Sequence, residues 1–262
     1  MFFRNAASLC LCGLIFSGCS VKEDRDSCPC SLHLTIGGER PPGPVDLAWR
    51  IRETDSGSMT AYGEIPAEMT LDVPRCLADL CVTVSEAGCM NDSGGMDIAL
   101  GDDCPSVFRG RTEADCRSGY AESMISLYKN YSELTCVLEH SGALGPGLDY
   151  RITGNVSGYD AYGMPLPGIF NCSLECRKNS SGTFLADVGV PRQIDNSLKL
   201  EVSAADGELL RRFALGEYIA ASGYDWTAQE LEDIVIKINI ASTTLSVNVL
   251  SGNREIYLSY RL

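Results

Sequence analysis

Apolar and polar residues alternate along most of the chain, a pattern typical of β-strands with one buried face. The alternation is clearest at residues 32–36, 45–51 and 234–240, where a large apolar side chain occupies every second position. The same pattern recurs at 69–73, 80–84, 96–100, 134–138, 150–152, 184–190, 198–202, 209–215, 245–249 and 256–262. Turn-forming residues separate most of these segments at short intervals, which predicts an all-β protein built as β-sandwiches.

Two segments depart from the alternation. Residues 227–230 (TAQE) form a capping box ahead of Leu231, which predicts a short helix there. Residues 113–129 do not follow the strand pattern and could form a helix or a helical excursion, a question that the sequence leaves open.

One segment rich in glycine and proline, residues 141–147, is the best candidate for a domain boundary. We therefore predict a β-sandwich domain at 28–140, a linker at 141–147 and a second β-sandwich domain at 148–262. Residues 19–27 are polar and without periodicity, which predicts a flexible leash ahead of the first domain.

The first 18 residues have the layout of a secretory signal. A single basic residue, Arg4, precedes an apolar run at 6–16, which is too short to span a bilayer and ends at small residues. The next residue is Cys19, whose thiol could carry a diacylglycerol and whose freed amine could carry a further acyl chain such as palmitate. This pattern indicates a bacterial lipoprotein; the alternative is an ordinary signal peptide with Cys19 near its cleavage site by chance.

A lipid on Cys19 would make the rest of the chain an exported domain held at a membrane surface. No later segment approaches eighteen consecutive apolar residues. The net charge of −14, from 35 acidic and 21 basic side chains, argues against nucleic acid as a partner.

The sequence contains 13 cysteines, which is many for 262 residues. Ten of them follow Cys19, and an even number in an exported chain predicts disulfides whose pairing the sequence does not fix. Metal binding is the alternative, because Cys28 and Cys30, and Cys172 and Cys176, are closely spaced. Neither spacing matches a paired zinc site, so we expect no metal and no cofactor other than the covalent lipid.

Few residues suggest catalysis. The two histidines, His33 and His140, lie outside any nucleophile, metalloprotease or phosphate-binding motif. Adjacent carboxylates such as Asp102 and Asp103 would point to opposite faces of a strand, which does not suit a shared substrate. We predict a non-enzymatic protein; an exported hydrolase with carboxylates far apart in sequence is a distant alternative.

Three stretches together resemble the anchor-type lipoproteins of type V fimbriae, the fimbrillin-associated anchor family. They are the leader with CSVKEDRDSCPC at 19–30, YRITGNVSG at 150–158, and LGEYIAASGYDW at 215–226 continuing into the isoleucine-rich strand. The resemblance spans nearly the whole chain after the signal.

This resemblance implies two transthyretin-like sandwiches on an outer-membrane lipoprotein at the base of a fimbrium, with fimbrial shaft subunits as partners. Subunits in that system join by donor-strand exchange, in which one chain completes the sheet of another. The family carries an acidic export signal after the lipidated cysteine, and Lys22, Glu23 and Asp24 are similar to it.

The last residues offer a candidate donor strand, because their apolar positions continue to the final residue: Ile256, Leu258, Tyr260 and Leu262. The competing interpretation is that this strand closes its own sandwich. A second functional hypothesis is a surface adhesin that binds glycan or host protein through aromatic loops at 159–162 and 218–224.

Overall fold

The computed structural model describes residues 28–139, 147–180, 183–239, 244–251 and 254–261. It is nearly all β, which confirms the predicted fold class. The strands are β1 (Cys30–Gly38), β2 (Val45–Ile51), β3 (Ser56–Tyr62), β4 (Glu68–Val73), β5 (Leu77–Glu86), β6 (Met96–Asp97), β7 (Val107–Asp115), β8 (Tyr120–Lys129), β9 (Tyr131–Glu139), β10 (Leu148–Tyr159), β11 (Pro165–Ser173), β12 (Arg177–Lys178), β13 (Phe184–Pro191), β14 (Lys199–Ala204), β15 (Leu209–Phe213), β16 (Asp233–Asn239), β17 (Thr244–Ser251) and β18 (Arg254–Arg261). One short helix, α1 (Leu215–Ala221), lies between β15 and β16.

The segment that the sequence left open, residues 113–129, is β-structure. It contains the end of β7, a turn and the whole of β8. Alternate residues of β8 are more deeply buried, with Ile125 and Leu127 each 1% exposed.

The predicted helix is in the wrong place. Residues 227–230 form turns, because Asp225 Oδ1 accepts hydrogen bonds from the Thr227 amide at 2.8 Å and its hydroxyl at 2.6 Å. The Thr227 hydroxyl is thereby oriented toward a residue before it, instead of capping a helix after it. The observed helix, α1, begins earlier and buries Leu215 and Ile219, which are four residues apart on one face.

The first core lies within a seven-stranded sheet in the order β3-β2-β5-β7-β8-β1-β4. β7 pairs with β8 through Phe108 with Lys129 and Arg109 with Tyr128, which joins the half β3-β2-β5-β7 to the half β8-β1-β4. Its two halves share one apolar cluster, in which Leu32 and Leu34 of β1 join Leu80 of β5. The alternation at 32–36 thus predicted the buried face of β1 correctly.

The second core lies between two other sheets. One has the order β11-β10-β14-β15, with β6 pairing to β10, and the other has the order β12-β13-β9-β16-β17-β18. Their shared cluster includes Leu134 of β9, Ile152 of β10, Leu200 of β14 and Ile236 of β16, all fully buried.

The sheets do not divide at the predicted linker. β9 precedes residue 141, yet it lies between β13 and β16 in the second group, and Met96 and Val107 also belong to the second core. β9, which the predicted bounds assign to the N-terminal domain, thus pairs and packs with the second group of strands. A segment rich in glycine and proline marks a change of chain direction as readily as a boundary between domains, and residues 140–146 themselves lie outside the described part of the chain.

A buried polar junction joins the two cores. Asn130 donates from its side-chain amide to the Gly163 carbonyl at 2.8 Å, and its own carbonyl accepts from the Tyr159 hydroxyl at 2.6 Å. The Arg192 guanidinium donates to the Asn130 side chain at 2.7 Å and to the Trp226 carbonyl at 2.5 Å. Burial lowers the pKa of Arg192 and raises that of Tyr159 well above its usual value. Because unpaired buried polar groups are costly, this network fixes how the cores meet.

Candidate functional site

The functional residues predicted from sequence fall at the two ends of the chain. Cys19, Lys22, Glu23 and Asp24 precede the first described residue, and Leu262 follows the last one. Ile256, Leu258 and Tyr260 lie in β18. The described elements nearest to these residues are β1, where the chain enters the first core, and β18, the last strand of the second group.

The chain enters the first core through an interior strand. β1 pairs in parallel with β8 and antiparallel with β4, so it has a hydrogen-bonding neighbour on each side. Cys30, Leu32 and Leu34 are fully buried, and the Ile36 amide donates to the Ala67 carbonyl at 2.8 Å. Displacing β1 would break two ladders and open the core.

The chain leaves the second core at the end of a sheet. β18 pairs antiparallel with β17 from Ser251–Arg254 to Thr244–Arg261 and is the last strand in the sheet order. Among the described residues, β17 is its one neighbour. A strand in this position can leave or be joined without disturbing a second ladder.

Other sheet edges differ in how they discourage pairing. β11 begins with Pro165 and also contains Pro167, which lack the amide that a new neighbour would need. β15, at the opposite end of that sheet, exposes Leu209 and Leu210 at 44% and 39%. Sequence reasoning did not identify β15 as an open edge, because strand order cannot be derived from alternation.

A cavity of about 520 Å³ lies beside the point where the chain enters. Its lining includes Cys28, the half-buried ring of Trp49, the exposed carboxylate of Asp72, and Arg75. The Arg75 Nε is buried without a hydrogen-bond partner. An aromatic face with charged groups beside it is a chemistry that suits a polar ligand such as a sugar.

The aromatic loops of the adhesin hypothesis are used in packing. Tyr159 is 1% exposed and belongs to the junction, and Tyr162 donates from its hydroxyl to Asp55 at 2.8 Å. Tyr224 donates to the Glu232 carbonyl at 2.8 Å and packs edge-on against Trp226 with 4.7 Å between ring centroids. Each of these three tyrosines therefore has a hydrogen-bond partner within the protein.

The ten cysteines from Cys28 onward are free thiols in the structure, and the disulfides expected from the sequence stay a prediction. Within the described residues, no three histidine, cysteine or carboxylate side chains are placed to hold one metal ion.

Two titratable side chains, a histidine and a carboxylate, have ordinary polar partners. His33 Nε2 lies 3.6 Å from the Glu68 carboxylate on the exposed face of the first sheet. Asp233 forms an ion pair with Lys129 and accepts from the Glu133 amide at 2.9 Å, which fastens β16 to the start of β9. His140 lies outside the described residues.

The described part of the chain includes no helix with the length and apolar character needed to cross a membrane.

No protein-family model and no curated protein sequence matches this chain, so the comparison rests on fold. The fimbrial anchor protein Mfa2 from Porphyromonas gingivalis has a TM-score of 0.60 at 11% identity, with 89% of this chain and 100% of that chain covered. A Bacteroides thetaiotaomicron protein provisionally assigned as polysaccharide-binding has a TM-score of 0.62 at 12% identity, covering 89% and 98%. A provisionally assigned adhesin from Bacteroides ovatus has a TM-score of 0.54 at 11% identity, covering 88% and 96%. The chain therefore shares the fold of a fimbrial anchor and of proteins provisionally assigned to adhesion and to polysaccharide binding.

Proposed function

We propose that this protein is a non-enzymatic outer-membrane lipoprotein that anchors a fimbrium. Lipid on Cys19 holds the chain to the membrane, residues 19–27 act as a leash, and the two cores present a surface to which a fimbrial shaft subunit joins by β-strand complementation. The full coverage of the Mfa2 chain by this fold supports the proposal.

The observation that carries the proposal is the unequal placement of the first and last strands. β1, which follows the leash, is built into the interior of its sheet, whereas β18 is at the end of its sheet. Strand complementation needs a strand that can be given up or an edge that can be joined. The C-terminal end meets that need, and the end nearest the lipid does not.

Deleting residues 251–262 tests strand complementation. We expect the shortened protein to be exported and folded, as shown by a single cooperative transition in thermal denaturation. We also expect the cells to shed their fimbriae into the medium. The matched control replaces Leu209 and Leu210 on the exposed edge strand β15 with serine, and should retain fimbriae. A deletion that unfolds the protein would show that β18 only closes its own sandwich, and a folded deletion that retains fimbriae would also reject donation.

Replacing Cys19 with serine tests the anchor. We expect the wild-type N-terminal peptide to carry the mass of a diacylglycerol and an acyl chain, and Cys19→Ser to be found in the medium. An exported wild-type chain with residue 19 unmodified, shed freely from the cell, would refute the anchoring role.

The second candidate function is an adhesin that binds glycan. The cavity at Trp49, Asp72 and Arg75 favours it, and so does the fold shared with a protein provisionally assigned as polysaccharide-binding. Retention on a glycan array that Trp49→Ala abolishes, without co-purification of fimbrial subunits, would favour the adhesin over the anchor.

A further inference from the structure

Three cysteines distant in sequence meet at the end of the first core where the chain enters. Cys30 is the first residue of β1, Cys76 directly precedes β5, and Cys116 directly follows β7. Leu77 is paired with Asp115, so the register places Cys76 opposite Cys116, and the Cys116 amide donates to the Cys76 carbonyl at 2.9 Å.

Two of these thiols lie together in the apolar interior. Cys30 and Cys116 are each fully buried in the same apolar cluster of the first core, and Cys30 is the first neighbouring group that raises the pKa of the Cys116 thiol. Cys76 is partly exposed and packs at the margin of the same cluster. Burial first, and then the neighbouring sulfur of Cys30, raise the pKa of the Cys116 thiol to about 12.

We propose that Cys30 and Cys116 are joined by a disulfide in the exported protein, with Cys76 remaining a thiol. The bond would tie the first residue of β1 to the end of β7, in the facing half of the sandwich. This inference rests on the export that the proposed function requires, because disulfides persist in oxidising compartments.

The chemistry balances with a thiol–disulfide oxidoreductase of the export compartment as the oxidant. The thiolate of one cysteine attacks the oxidoreductase disulfide and forms a mixed disulfide. The thiolate of the other cysteine then attacks the sulfur of the first cysteine in this mixed disulfide. The attack forms the Cys30–Cys116 bond and releases the oxidoreductase as a dithiol. Two cysteine thiols are oxidised, and one disulfide is reduced.

Burial determines when this exchange can occur. A buried thiol with a raised pKa is a poor nucleophile, and an oxidoreductase cannot reach it in the folded core. We therefore expect the bond to form during export, before the first core closes, and to resist reduction afterwards.

The bond would change how a pull on the anchor enters the fold. Cys30 is eleven residues after Cys19, so tension along the leash reaches the core at this residue. Without the bond, the tension falls on the hydrogen bonds between β1 and its neighbours β4 and β8. With it, the tension passes through a covalent bond to β7.

Peptide mapping of the full-length protein purified from the membrane tests the pairing. Free thiols are alkylated under denaturing conditions and the protein is digested without reduction, with cytosolically expressed protein as the reduced control. We expect a linked peptide containing Cys30 and Cys116, and an alkylated Cys76. Alkylated Cys30, or a peptide linking Cys76 to Cys116, would overturn the proposal.

Variants separate this inference from the proposed function. The pair Cys30→Ala and Cys116→Ala should lower the Tm of the exported protein by about 10 °C relative to wild type, because the bond closes a long loop. Cys172→Ala, which removes a buried thiol of the second core, should leave the linked peptide unchanged. A linked peptide in a protein that retains no fimbriae would support the disulfide and refute the anchor role. An exported protein that retains fimbriae but has a free Cys30 thiol would refute the disulfide and support the anchor role.

Discussion

The first and last strands of the described chain have similar sequence patterns and opposite positions. Both β1 and β18 place large apolar residues at every second position. β1 lies between two neighbours in the first sheet, while β18 is last in its sheet order. Alternation of apolar and polar residues therefore indicates that a segment is a strand, but it does not indicate whether that strand can be exchanged.

Paired proline substitutions give the largest expected difference between the two strands. Successive amides of a strand point to opposite sides, so Thr35→Pro and Ile36→Pro in β1 should each lose a ladder hydrogen bond and each destabilise by about 3 kcal/mol or more. In β18, only one of Tyr257→Pro and Leu258→Pro removes an amide facing β17, and the other should be tolerated. Urea denaturation of the four variants measures this; equal damage from both β18 prolines would show that β18 is not an edge.

Truncating side chains on the two faces of β1 sharpens the comparison at a smaller scale. Leu34 is fully buried, so Leu34→Ala should cost about 2–5 kcal/mol through lost burial and the cavity left behind. His33 is the matched control because its side chain is 37% exposed, and His33→Ala should change stability by less than about 0.5 kcal/mol. Comparable losses at both positions would contradict the burial assigned to β1.

The smallest expected effect is electrostatic and lies on the half of the first sandwich that faces β1. Two hydrogen bonds from Arg111 hold the pKa of Asp79 below its usual value, and they fasten β5 to β7. Because the pKa is lowered in the folded state, this stabilisation is present above about pH 4 and is lost as the pH falls through the folded value. Asp79→Asn should cost about 1 kcal/mol at pH 7.

A pH series of denaturation midpoints checks that prediction. The difference between wild type and Asp79→Asn should shrink as the pH falls below about 4. A difference that stays constant down to pH 2 would show that the carboxylate charge is not what stabilises this pair of strands.

Much of the fold could be predicted from the sequence where one face of a strand is buried. The strands β1 and β16 were predicted because isoleucine and leucine occupy every second position there, and in the described residues these side chains are buried, from Leu32 to Ile36 and from Ile234 to Ile238. β3 and β11 were not predicted, and both are the first strands in their sheet orders. β3 is exposed or half-buried at each residue whose burial is described, and β11 begins with proline, so the apolar alternation fades in both.

The candidate site was only partly predictable for a related reason. Cys19 and the C-terminal strand stand out locally, through the change from apolar to polar residues and through alternation. The meeting of Cys30 with Cys116 depends on strand order and on how the two halves of the sheet pack together, and nothing near either residue in sequence encodes it. The same holds for the junction of Asn130 with Arg192.

The parallel pairings also govern the order in which the chain can fold. β1 cannot complete its parallel pairing until β8 has been synthesised. β9 likewise needs β16, which begins about a hundred residues after the start of β9. Contacts between such distant segments form slowly, so the sheet that contains β9 and β16 can be completed only late in synthesis. If the chain is exported as we propose, this delay would help it to pass through a translocation pore before the second core folds.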